Sequence, residues 1–166
     1  MDCETGLAVA SPTPTPSRAA LSEAKLVAPP ESAVIVEYLE QLAPTPALLP
    51  AEPFAAAKVR ELTQFLELHL ELVAREIYGE AFFGAPPSSD AHKARVRKLL
   101  DRNIPAYKQL ARFSPYAAGE QFTLADCSAY VHLPVVAMAT KIVYGEDLIA
   151  AHGIDWKAYV KLVAAR

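Results

Sequence analysis

Apolar positions recur with a helical period along most of this chain, and prolines punctuate them into segments. The stretch ESAVIVEYLEQL, residues 31 to 42, places Val34, Ile35, Tyr38, Leu39 and Leu42 on one helical face, with an acid at the end where the helix dipole is positive. APTPALLPAEP, 43 to 53, holds four prolines in eleven residues and reads as a stiff, extended linker. Beyond it Val59, Leu62, Phe65, Leu66, Leu72, Val73 and Ile77 keep the helical period through residues 54–83, which predicts one unbroken helix about 40 Å long.

GAPPSSD, 84 to 90, is a loop whose Asp90 is expected to cap a helix over 91–112, bent at Pro105. A further helix is expected over 124–143, bent or interrupted at Pro134, then two short ones over 146–151 and 155–165 on either side of an HGID turn. No alternating pattern appears after residue 30, so the fold class is mainly α. Prolines 12, 14, 16, 29 and 30 crowd the first thirty residues in an Ala, Ser and Thr background without sustained periodicity. That composition predicts a largely disordered segment.

Composition narrows the function. The chain has 166 residues, 52% hydrophobic and 21% charged, enough for one good core. A net charge of -3 gives no general attraction for nucleic acid or anionic lipid, so neither is expected as a partner. No apolar run of the roughly 20 residues that span a bilayer is evident. The acidic opening MDCETGLAV lacks the basic start of a secretory signal. Cys3 and Cys127 lie far apart in unlike settings; a disulfide is not expected, a reducing cytoplasm is, and Cys127 reads as a small buried hydrophobe.

The stretch GEQFTLADCSAY, 119 to 130, offers a choice between a reactive carboxylate and a piece of helix architecture. Thr123 and Asp126 stand three apart before an apolar run, the spacing of a reciprocal capping box, with Phe122 placed to pack as a staple near Cys127. A catalytic Asp126 would need a base or nucleophile beside it, and the neighbouring sequence supplies none. The capping reading is therefore preferred, and Asp126→Ala is expected to cost about 1 kcal/mol. Glu31 and Ser32 leave two readings open on their own: a plain helix cap, or free amides and a hydroxyl that meet a carboxylate while the glutamate meets an ammonium.

Histidines 69, 92, 132 and 152 have no metal-ligand spacing, so no metal is expected. The run KARVRKLLDR, 93 to 102, reads as a solvated basic face with Glu67, Glu71 and Glu76 as partners.

The ESxxIxxYLE helix, the proline-rich linker with LLP, the long helix ending in FFG, and GEQFTLADCSAYVHLP together resemble the cytosolic glutathione transferases across residues 31 to 166. The resemblance implies a thioredoxin-like lobe that binds glutathione as co-substrate and an all-helical lobe that completes a pocket for a small electrophile. Here the thioredoxin-like part is expected to be an incomplete remnant over 1–42, followed by the linker over 43–53 and the helical domain over 54–166. Glu31 and Ser32 match the family pair that holds the γ-glutamyl end of glutathione. Ser11 in SPTPTPSRAALSE matches the catalytic hydroxyl, and Thr123 and Asp126 match a structural cap. His69, Val73 and Ile77 are candidates for the electrophile wall. The implied reaction is attack of the glutathione thiolate on an electrophilic carbon, with a non-catalytic helical interaction domain or an inactive fragment of a glutathione transferase as the alternative. Val34, Ile35 and Leu39 would form an uncovered apolar patch compatible with a homodimer.

Overall fold

The computed structural model describes residues 31–43 and 45–166. The chain divides into two units, Met1–Ala47 and Leu48–Arg166. In the first unit, α1 spans Ser32–Leu42, starting from an extended Glu31 and stopping as the proline-rich linker begins. Val34 and Leu39 are exposed on it and Ile35 is half-buried. No β-strand occurs among the described residues, so the helical body agrees with its expected class; a thioredoxin-like remnant over 1–30 lies outside the described residues.

The second unit opens with α2, Pro53–Phe65. Pro53 occupies the first helical position, where its missing N–H costs nothing. The Glu52 carboxylate accepts from the amides of Phe54 and Ala55 at 2.9 and 2.6 Å. Those two bonds hold the Glu52 carboxyl below the usual range.

The single long helix does not form. After α2 the ladder widens into a π-helical turn, Leu66–Glu71, then resumes as α3, Leu72–Arg75, and after a turn as α4, Tyr78–Phe82. A bond reaches this turn from another helix: the buried Asn103 donates its side-chain N–H to the carbonyl of His69 at 2.8 Å. A side chain bonded into the ladder favours the wider turn. Ile77 leaves helical geometry at φ -107 and ψ 0 while its side chain stays fully buried.

α5 spans Asp90–Leu110. Its cap is Ser89, whose hydroxyl accepts from the His92 amide at 3.3 Å, and the expected cap Asp90 instead sits in the first turn. α6, Leu124–Tyr144, continues through Pro134 without interruption and ends at Gly145, whose φ of 74 is the left-handed conformation that glycine adopts freely. α7, Leu148–Ala151, and α8, Trp156–Ala164, are capped by Asp147 and Asp155, which accept from Ala150 and Ala158 at 3.0 and 3.1 Å.

α6 is the central element, packed against α2, the π turn, α3, α4, α7 and α8. Leu66, Leu70, Leu100, Ile104, Leu133 and Val136 are fully buried around it. At 21 residues and a mean hydropathy of 1.2, α6 is long and apolar enough to cross a membrane by length and composition alone, contrary to the expectation from the sequence. Seven of its apolar residues, Leu124, Ala125, Ala129, Leu133, Val136, Ala137 and Ala139, are buried.

Candidate functional site

At the N-terminus of α1, Glu31 has φ -86 and ψ 123, and its carbonyl accepts the first helical bond from Ile35 at 3.0 Å. Neither Glu31 nor Ser32 folds its side chain onto the helix amides, and both are exposed. α2, α5, α6, α7 and α8 each begin on a polar side chain that meets a backbone amide. The opening of α1 thus keeps its amide dipoles, a hydroxyl and a carboxylate together with no side-chain cap. Such an end attracts a carboxylate, and the adjacent glutamate attracts an ammonium. Ser11, the other residue assigned to glutathione chemistry, lies outside the described residues.

Asp126 is fully buried at the start of α6. Its Oδ2 accepts from the Thr123 amide at 2.8 Å and from the Thr123 hydroxyl at 3.1 Å, forming the carboxylate side of a capping box. Its Oδ1 accepts from the Ala117 amide at 2.7 Å and from the Tyr159 hydroxyl at 2.5 Å. Burial first, and then this bond to the carboxylate, push the Tyr159 phenol well above its ordinary range. Tyr107 is displaced the same way, by burial and then by the Asp126 charge. One carboxylate therefore joins the α5–α6 loop, the first turn of α6 and the face of α8. Spacing revealed only the local half of this role, because nothing in sequence pairs Asp126 with residues 9 and 33 positions away.

The three candidates for an apolar wall fall in three environments. His69 is exposed on the π turn with its ring 4.7 Å from that of Phe65. Val73 is half-buried, and Ile77 belongs to the core. Phe122 packs its ring edge-on against Tyr116 at 5.7 Å, and Arg166 lies over it at 4.0 Å. Cys127 is half-buried rather than enclosed. On the basic run, Lys93 pairs with Glu80 at 2.7 Å, Arg95 with Glu76, and Arg97 with Glu146 at 2.7 Å. Glu71 binds Arg75 and Glu67 accepts from Ser128, so of the expected partners Glu76 alone meets the run. No group of three or more metal-binding side chains occurs among the described residues.

Among the clefts of the second unit, two flank Arg112. One, of 560 Å³, is walled by Phe54, Lys58, Val59, Leu62, Leu110 and Arg112. The other, of 440 Å³, lies between the end of α5 and α8 and shares Arg112.

Comparison with known proteins gives two informative matches. The chain is 42% identical over 120 residues to a glutathione S-transferase of Pseudomonas putida, an alignment covering 72% of this chain and 54% of that protein. It is 33% identical over 135 residues to a stringent starvation protein A homolog of Pasteurella multocida, covering 81% of this chain and 58% of that protein. The chain spans about half the length of these relatives. No family model matches it.

Proposed function

The chain belongs to the glutathione S-transferase family, and from that membership we propose that it binds glutathione at the start of α1 and takes part in conjugating the glutathione thiol to a small electrophile. The observation that carries this reading is the side-chain-uncapped opening of α1, with Glu31 and Ser32 both exposed. In the proposed mode the γ-glutamyl carboxylate of glutathione accepts from the amides of the first turn and from the Ser32 hydroxyl. The Glu31 carboxylate accepts from the ammonium of the same group. The first contact is favoured by the helix dipole and the second by opposite charge.

In the reaction the thiol gives up its proton, the thiolate sulfur forms a bond to the electrophilic carbon, and a leaving group departs with its electron pair. A hydroxyl beside the sulfur would favour the thiolate by hydrogen bonding to its charged form; by resemblance that residue is Ser11. His69 and Val73 remain candidates for the electrophile-facing wall. A reducing cytoplasm suits a thiol co-substrate.

A second reading, a non-catalytic helical interaction domain, is favoured by the exposed Val131, Met138 and Ile142, which repeat at helical spacing on α6. Calorimetric titration of the intact chain with glutathione at millimolar concentration separates the two. Under the first reading heat is released on binding, and Ser32→Ala and Glu31→Gln each weaken the affinity about tenfold. Absence of heat, or binding indifferent to both substitutions, overturns the α1 site and leaves the interaction domain.

A further inference from the structure

The cleft of 440 Å³ between the end of α5 and α8 combines features that the glutathione reading leaves unused. Its volume lies in the range of small-molecule sites. Its apolar wall is formed by Phe113, Pro115, Ile154 and Leu162, and two cations, Lys108 and Arg112, stand at its edge.

Both cations are exposed, and neither is in an ion pair among the described residues. This contrasts with Lys93, Arg95 and Arg97 in the first half of α5, each of which meets a carboxylate. Lys108 is held rather than free to wander. Its Nζ donates to the carbonyl of His152 at 3.2 Å, and it occupies the space above Gly153, 2.6 Å from where a Cβ on that residue would stand. One acid lines the cleft, Asp155, and its Oδ1 is engaged with the Ala158 amide at 3.1 Å. Two cations face one acid, so the cleft favours an anion.

The wall between them is built at a conformational cost. Phe113 has φ 47, and it is the non-glycine residue with positive φ among those described. Such a backbone costs on the order of 1 kcal/mol and persists only where its surroundings hold it. Here the ring stands edge-on to Tyr107 at 6.3 Å and to Tyr159 at 5.2 Å. The strained residue thereby turns an aromatic surface into the cleft that Arg112 also lines.

We propose that this cleft binds a small apolar molecule that ends in a carboxylate. The tail lies against Phe113, Ile154 and Leu162, and the carboxylate meets the Arg112 fork and the Lys108 ammonium. Arginine suits the role because its planar donors match a carboxylate two bonds at a time. The assignment is independent of the α1 site and shares no residue with it.

The test uses the full chain and octanoate as probe, with octanol as its uncharged counterpart, followed by ¹H–¹⁵N chemical-shift perturbation at low ionic strength. Octanoate is expected to shift amides of residues 111–115 and 153–162 saturably, and octanol to bind about tenfold more weakly or not at all. Arg112→Gln and Lys108→Gln should each weaken octanoate about tenfold. Both side chains are exposed, so the variants should keep the circular dichroism of the parent. Lys58→Gln, in the neighbouring cleft, should leave octanoate binding unchanged. Equal binding of octanol, octanoate affinity unchanged in both cleft variants, or shifts centred elsewhere would each overturn the proposal.

Discussion

Asp126 shows how much a single side chain can carry beyond what its spacing reveals. As a helix cap its removal would cost about 1 kcal/mol. The structure gives it four donors, from Thr123 twice, Ala117 and Tyr159, in a fully buried place. Truncation leaves two amides and two hydroxyls without their acceptor, and each buried orphan costs about 1–3 kcal/mol. Asp126→Ala is therefore expected to destabilise the chain by about 4 kcal/mol or more, read as a fall in urea midpoint at unchanged m-value. Tyr159→Phe removes one donor and keeps the carboxylate, so it should cost less, and the double variant should cost less than the sum because the two groups are bonded to each other. A loss near 1 kcal/mol with full additivity would return Asp126 to the role of a local cap. Glutathione affinity is a separate readout, since Asp126 makes none of the contacts proposed at α1.

At the scale of elements, what was legible in the sequence was local and what was missed was remote. The period of Val96, Leu99, Leu100, Ile104 and Leu110 gives α5, and the Thr123–Asp126 spacing gives the start of α6, because each is written in consecutive turns. The break in the expected 54–83 helix was not legible. Its residues keep an α-helical pattern throughout, and the group bonded into the wide turn, Asn103, sits 34 positions away. The same limit hid the two clefts beside Arg112, whose walls join the end of α5 to residues more than forty positions on or to the start of α2. The α1 site was read by resemblance at Glu31 and Ser32, and geometry adds the missing side-chain cap. The π turn carries a prediction of its own. Asn103→Leu removes the bond to the His69 carbonyl and leaves that acceptor to the helix, so the turn should revert toward regular α geometry. Hydrogen exchange at amides 70–74 should change, and stability should fall by about 1–3 kcal/mol. Exchange identical to the parent would show that the wide turn is set by the packing of Leu66 and Leu70 instead.

Across the whole molecule the buried phenols make stability depend on alkaline pH. Tyr107 and Tyr159 are pushed above their ordinary range chiefly by burial and then by Asp126, and Tyr78 chiefly by burial and then by the Glu71 charge. The hydroxyls of Tyr78 and Tyr107 have no hydrogen-bond partner among the described residues. In the unfolded chain a tyrosine ionises near pH 10. The folded state holds these three protonated beyond that point, so the unfolded state binds fewer protons once the pH passes about 10. Stability from this source is complete below that pH and is lost as pH rises, by up to about 1.4 kcal/mol per pH unit for each phenol. Between pH 7 and 9 these groups contribute no slope. The urea midpoint should accordingly stay level with respect to them up to about pH 9.5 and then fall steeply toward pH 11. Tyr107→Phe should flatten that fall without lowering the midpoint at pH 7, because the hydroxyl it removes makes no bond. Tyr159→Phe should flatten it as well, but from a lower starting midpoint, since it gives up the bond to Asp126. The two variants thus separate a phenol that is merely enclosed from one that is enclosed and bonded. A midpoint that stays level to pH 11 in the parent chain would mean that water reaches these rings, and that the α5, α6 and α8 faces do not close around Asp126 as described.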